Sequence, residues 1–227
     1  MVNAKKIIAI CAVTALGFTS FSAEASLGAF LGFGKRDTPT VQLQNGNFMP
    51  DPQAIKPFVL QQTSHDRPFT QENLKGQWTA VFFGFTHCGY VCPTTLAIMT
   101  QAYEKLAKAK IEQPHMLFIS VDPERDTTAS TQRYVSGFSG KVRGIQQFTG
   151  VAGTADQVHQ LAAQFSAYYE KVAQGAAKAG QYTMNHSGAI YVINPEGELY
   201  AVITPPLNAD QLAHDFPAIM NADKSAS

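Results

Sequence analysis

Two cysteines four residues apart, Cys88 and Cys92, offer the most direct chemistry in this chain. A spacing of four puts two side chains on one helical face, so the sulfurs can meet each other or share one metal ion. Pro93 suits the start of a helix, which places the pair at a helix N-terminus. Aligned peptide dipoles there stabilise a thiolate and lower a cysteine's pKa. Because Cys92 is the residue inside the helix, this argument expects Cys92 to ionise at lower pH than Cys88. The plain alternative is a stapling disulfide. A loop that short gains only about 2 kcal/mol from closure, against about 4.7 kcal/mol for a hundred-residue loop. A redox or metal role is the better reading.

A metal would need a further ligand, and the chain has 6 histidines. His65 lies in a polar turn (TSHDRP). His87 neighbours Cys88, and adjacent residues on extended backbone face opposite ways. His115 opens a strand, while His159 and His214 sit in amphipathic helical segments, so these read as surface or structural. His186 is different: it lies in YTMNHSGAIYVIN, in a loop just before a strand. Met184 offers a soft thioether but reads as a packed strand-end residue. Asp122, Glu124 and Asp126 in VDPERDT form an acidic group, which reads as a strand-end turn with helix capping and pairing to Arg125 rather than a second metal site.

The elements that must position these residues follow from periodicity. WTAVFFGF (78–85) and HMLFISVD (115–122) are continuous apolar runs, as expected of strands buried on both faces. Between them Leu96, Met99, Tyr103 and Leu106 recur at helical spacing. Thr127 or Thr128 caps a helix carrying Tyr134 and Phe138, and IQQFTG (145–150) is a third candidate strand. Thr154 opens a helix with Val158, Leu161, Ala162, Phe165 and Tyr168 on one face. Residues 174–180 read as a loop. GAIYVIN (188–194) and LYAVIT (199–204) flank a turn at 195–198, and Asn208 or Asp210 caps a last helix through Met220. This is an α/β plan with a central sheet. A helix that begins at a cysteine pair directly after a buried strand resembles the thioredoxin fold. That resemblance implies that the loop before the next-to-last strand abuts the helix start, bringing His186 within reach of the cysteines.

The N-terminus reads as an export signal. Lys5 and Lys6 precede an apolar run from Ile7 to Phe18, and Ala23-Glu24-Ala25 is a cleavage pattern. The expected organisation is a signal peptide at 1–25, an extended linker at 26–56, the domain at 57–222 and a tail at 223–227. The alternative is an uncleaved inner-membrane anchor at residues 7–23, the only source of membrane contact expected. Cleavage removes Cys11 and leaves Cys88 and Cys92 in a compartment where disulfides persist. Across all 227 residues, 45% are apolar and 15% charged, with 17 basic and 17 acidic residues. That balance excludes disorder and gives no electrostatic handle on nucleic acid.

FGFTHCGYVCPTTL, VDPERDT and YTMNHSGAIYVINPEGEL together resemble three signature blocks of the Sco/SenC family. The resemblance spans roughly residues 55–222, and residues 57–78 are similar to that family's opening hairpin. It implies a thioredoxin-like fold, a central mixed β-sheet flanked by helices with an N-terminal hairpin extension. It also implies one copper ion, Cu(I) or Cu(II), held by Cys88, Cys92 and His186. A periplasmic chaperone would carry that copper to the dinuclear copper site of cytochrome c oxidase subunit II, with other copper donors or thiol reductants as further partners. Thiolates and imidazole suit copper, thiolates favouring Cu(I), although zinc accepts the same ligands. Two positions depart from the family's common pattern. Gly89-Tyr90 stands where many members have Pro-Asp, and Asn185 where Asp commonly precedes the histidine; each removes a carboxylate.

An enzymatic alternative is a thiol–disulfide oxidoreductase that reduces the client's cysteines through the redox pair Cys88 and Cys92; it does not require His186. A thiol peroxidase fits poorly, because the P-x-x-x-T-x-x-C pattern of peroxiredoxins is met at neither cysteine.

Overall fold

The computed structural model describes residues 41–61, 67–139, 143–175 and 181–226, with side chains through residue 222. His65, the expected signal segment and residues 26–40 lie outside the described residues.

The centre of the fold is β4 (Thr79–Gly84), all six residues of which are buried. It pairs in parallel with β5 (His115–Ser120), in register from Thr79 opposite His115 to Gly84 opposite Ser120. On its other edge it pairs antiparallel with β9 (Ile190–Ile193). With β1 (Gly46–Ala54), β6 (Thr149–Val151) and β10 (Glu198–Ile203), these strands form a six-stranded mixed sheet in the order β1-β10-β9-β4-β5-β6. Strands buried on both faces carry unbroken apolar runs, which is why TAVFFG and MLFIS were legible as strands. Two hairpins stand outside this sheet. One is β2 (Val59–Gln61) with β3 (Pro68–Thr70), the opening hairpin; the other is β7 (Tyr169–Ala173) with β8 (Tyr182–His186).

Helix α1 (Val91–Ala109) buries Cys92, Leu96, Met99, Tyr103 and Leu106 along one stripe. The remaining helices are α2 (Thr128–Ser139), α3 (Ala155–Gln164) and α4 (Ala209–Ala226). Tyr103 of α1 meets Phe148 and Phe216 edge-on, joining α1 to α4. Phe82 packs on Phe118, and Phe118 on Tyr134 of α2. The next residue, Phe83, meets Phe165 at the end of α3. Alternation along β4 therefore divides the core into two layers.

Four expectations are corrected. Within the segment 26–56 expected as an extended linker, Gly46–Ala54 forms β1 on β10. Pro50 and Pro52 read as breakers, yet the register shifts between Phe48 and Gln53, and an edge strand tolerates proline at such an irregularity. Tyr168 is not on α3: Ser166 takes φ 51°, a left-handed residue that ends a helix. The loop expected at His186 is a strand, β8. The helix α4 runs past Met220 to Ala226, through most of the expected tail, because no glycine or further proline follows Met220 to stop it.

Candidate metal centre

The site lies at the C-terminal end of β4, where open α/β sheets present their crevices. Cys88 sits in the loop after β4, Cys92 in the first turn of α1 and His186 at the end of β8. One ligand atom from each of these three residues falls within 4.8 Å of the other two. The His186 Nε2 lies 3.4 Å from the Cys92 Sγ. Both cysteines are free thiols, Cys92 fully buried and Cys88 half-buried.

The imidazole is oriented from behind. His186 Nδ1 is 3.1 Å from the Ser187 carbonyl. A carbonyl only accepts, so the proton sits on Nδ1 and a neutral ring turns its Nε2 lone pair toward the sulfurs, as metal-binding histidines do. Phe82 and Phe85 meet the ring edge-on at 5.7 and 5.8 Å between centroids. These contacts leave the ring little freedom to turn away.

The two thiols are not equivalent. The backbone N–H of Cys92, in the first turn of α1, donates to the Cys88 Sγ at 3.3 Å. The Cys88 thiol is held well below its ordinary value, first by the hydrogen bond from the Cys92 thiol, then by His186 and the Cys92 and Tyr90 backbone amides. That same thiol pair pushes Cys92 up, and burial adds to the rise. This reverses the expected order of ionisation. The N–H of Cys92 in the first turn of α1 points at the sulfur preceding the helix, not at the one carried within it. Burial then disfavours the charged form of Cys92.

The VDPERDT segment braces this arrangement. The buried Asp126 accepts from the Thr86 amide at 2.9 Å and from the Ser120 hydroxyl at 2.7 Å, fixing the loop two residues before Cys88. Asp122 pairs with Arg125, and Thr127 caps α2 through the Ser130 amide. These are the turn, pairing and capping roles expected of the segment. Met184 is buried and packs at the wall of the site. His87 points to Thr86 and Asp126, His159 meets Tyr169 and His214 pairs with Asp215. None of these three joins the cysteines. His115 opens β5 as expected.

Gly84 is a contributor the sequence reading missed. A Cβ there would lie 2.8 Å from the Cys92 Sγ and 2.8 Å from the Phe118 ring. The signal was present as a lone glycine in an apolar strand, which marks a close approach. An open cavity of about 500 Å³ leads to the Cys88 thiol and His186, lined among others by Tyr90, Tyr168 and Asn185. Tyr90 is 76% exposed at its rim.

A model of the SCO1/SenC family matches residues 49–221. The chain belongs to the SCO1/SenC family. It is similar to the mitochondrial SCO2 homolog of Bos taurus, 33% identical over 154 residues, which are 67% of this chain and 55% of that protein. It is also similar to the mitochondrial SCO1 homolog of Homo sapiens, 35% identical over 143 residues, 63% of this chain and 44% of that one. The chain thus spans about half the length of these mitochondrial relatives. Among solved structures, Arabidopsis thaliana ScoI with copper bound matches at TM-score 0.64 and 29% identity, over 74% of this chain and 99% of that chain. Bradyrhizobium japonicum ScoI with copper bound matches at 0.59 and 30%, over 73% and 99%. The central mixed sheet and its helices are those of a thioredoxin-like SCO1/SenC domain.

Proposed function

We propose that this protein is a copper chaperone that carries one ion on Cys88, Cys92 and His186 and delivers it to the dinuclear copper site of cytochrome c oxidase subunit II. The observation that carries the reading is the convergence of two free thiols and one oriented imidazole at the end of an open cavity. Two solved relatives are copper-bound. Thiolate and imidazole donors suit copper. Two thiolates and a neutral imidazole leave a net charge of −1 on a Cu(I) site and zero on a Cu(II) site. Three ligands leave a position open to an incoming ligand from the acceptor, which a carrier requires and a permanent store does not.

Residues 1–25 act as the export signal in this account, or residues 7–23 as an anchor, placing the domain in the periplasm. Among the described residues no helix is long and apolar enough to cross a membrane. The test is transfer: reduced, copper-loaded protein mixed with the soluble copper domain of subunit II should lose its copper to it in a one-to-one encounter. Retention of copper by the donor after equilibration with reduced apo-acceptor would contradict the role.

The lowered pKa of Cys88 supports a second activity. As a thiolate, Cys88 would attack a client disulfide, forming a mixed disulfide and releasing one client thiolate. Cys92 would then lose its proton, attack the Cys88 sulfur and release the second client thiolate. The client gains two electrons and this protein ends as the Cys88–Cys92 disulfide. A thiol reductant must then regenerate the pair.

A further inference from the structure

His186 is carried by a hairpin that has no strand partner in the main sheet. Among the described residues β7 and β8 pair only with each other. Among the described residues no backbone ladder therefore ties the histidine to the β4–α1 loop and the helix that carry the cysteines. At its His186 end the hairpin runs through residues 187–189 into β9, and the ring packs on Phe82 and Phe85; at the end of β8 remote from His186 the attachment is made by a cluster around Tyr182.

The Tyr182 hydroxyl donates to Asp122 Oδ1 at 2.7 Å. Its carbonyl accepts from Arg125 Nη1 at 3.1 Å. The Arg125 guanidinium stands 3.7 Å from the centre of its ring, and the Lys171 ammonium 4.1 Å. Both cations are neutralised within the same segment, Arg125 by Asp122 and Lys171 by Glu124. Arg125 also reaches toward the Phe85 ring, 5.8 Å away, which itself packs on His186. The second terminal nitrogen of Arg125 is buried with no hydrogen-bond partner among the described residues. Burying such a group is costly, and its contact with an aromatic face is what offsets that cost.

We propose that Arg125 and Tyr182 are positioning residues for His186: they latch the β7–β8 hairpin onto the domain and so hold the imidazole over the cysteine pair. The proposal rests on the copper reading for what His186 does, but the latch itself is a property of the metal-free protein. Because His186 and the thiols are on separately anchored elements, loosening the latch removes one ligand and leaves two. Two thiolates retain Cu(I), whereas Cu(II) calls for nitrogen as well. A cluster that merely stabilised the fold would weaken both oxidation states together.

The experiment compares wild type with Tyr182→Phe, Arg125→Met and Arg125→Lys, with His186→Ala as the control that removes the ligand without touching the latch. Hydrogen exchange is followed in the reduced apo-protein, and Cu(I) and Cu(II) affinities are measured separately. Arg125→Met should raise exchange at residues 169–173 and 182–186 by about tenfold with α1 and β4 unchanged. It should also weaken Cu(II) about tenfold more than Cu(I), the scale of one desolvated cation–π contact. Tyr182→Phe keeps the ring and should give a smaller change of the same sign. Arg125→Lys should recover part of the loss. His186→Ala should shift the Cu(II)/Cu(I) ratio while leaving hairpin exchange as in wild type. Unchanged hairpin exchange in Arg125→Met, exchange raised uniformly through the domain, or an unaltered Cu(II)/Cu(I) ratio would overturn the proposal. Wild type that binds no copper would instead overturn the copper reading, and the exchange data would still decide whether the latch exists.

Discussion

The His186 Nε2 stands 3.4 Å from the Cys92 Sγ although 94 positions separate them in the chain. The fold therefore spends two independent elements, the start of α1 and the end of β8, on one point in space. Because the imidazole proton is committed to the Ser187 carbonyl, the nitrogen facing the sulfurs is the one free to bind a metal.

Replacing His186 by Ala should separate the two proposed activities. Cu(II) binding should fall by about tenfold or more and Cu(I) binding by less, since two thiolates still hold Cu(I). Disulfide exchange should persist. Competition with a chromophoric chelator in each oxidation state, alongside a dithiol exchange assay, reads both. Copper uptake and oxidase assembly unaffected by the change, with both cysteines still essential, would favour the reductase.

Thiol reactivity should follow the asymmetry of the pair. In the reduced apo-protein iodoacetamide should modify Cys88 first and from lower pH, with Cys92 protected by burial and its raised pKa. Cys92→Ser keeps a donor to the Cys88 sulfur and should preserve its reactivity at low pH, whereas Cys92→Ala should shift it upward. Peptide mapping across a pH series distinguishes the two sites. Modification of Cys92 ahead of Cys88 would contradict the assignment.

The same shifts set the sign of a pH effect on stability. A thiol whose pKa is depressed on folding, as at Cys88, adds stability that is fully present above the unfolded value of 9.0 and lost as pH falls. For Cys92, whose pKa is raised, the contribution is present below 9.0 and lost at higher pH. From neutral pH downward the reduced apo-protein should therefore lose stability faster than Cys88→Ser. Thermal melts of both proteins between neutral and mildly acid pH measure this. Copper binding should weaken over the same range, because the metal must displace thiol protons.

Tyr90 offers a test of local charge. It is 76% exposed at the cavity rim, so Tyr90→Asp should fold normally. A carboxylate beside the Cys88 thiolate opposes ionisation and should raise that pKa, by less than about one unit at so exposed a position. Thiolate absorbance titration of the two proteins checks the direction.

Gly84→Ala should disturb the centre without removing a ligand. The added methyl meets the Cys92 sulfur and the Phe118 ring at 2.8 Å, and overpacking of this kind costs about 1–3 kcal/mol. Chemical denaturation of the reduced apo-protein gives the loss, and a copper titration should show weakened binding with unchanged stoichiometry.

The sheet and the cysteine-bearing helix were legible because their signals are local and strong. TAVFFG and MLFIS are uninterrupted apolar runs, and Leu96, Met99, Tyr103 and Leu106 keep the helical period. The strand β1 was hidden by Pro50 and Pro52, whose meaning depends on an edge position that only the assembled sheet defines. The β7–β8 hairpin was hidden because it is short, half-exposed and, among the described residues, outside the main sheet. Its order comes from Arg125 and Lys171 on Tyr182, contacts that span up to 57 positions. The relative acidity of Cys88 and Cys92 was misjudged for a related reason. Sequence places Cys92 in the helix, but only the folded turn directs its amide hydrogen at Cys88.

The central claim is that Cys88, Cys92 and His186 hold copper together. X-ray absorption at the copper edge of the reduced, copper-loaded protein tests it most directly, measured beside Cys88→Ala and Cys92→Ala. The account predicts one copper per chain with two sulfur neighbours and one imidazole nitrogen, and loss of tight binding in either variant. A first shell of nitrogen and oxygen alone, or full copper retention by either cysteine variant, would contradict it.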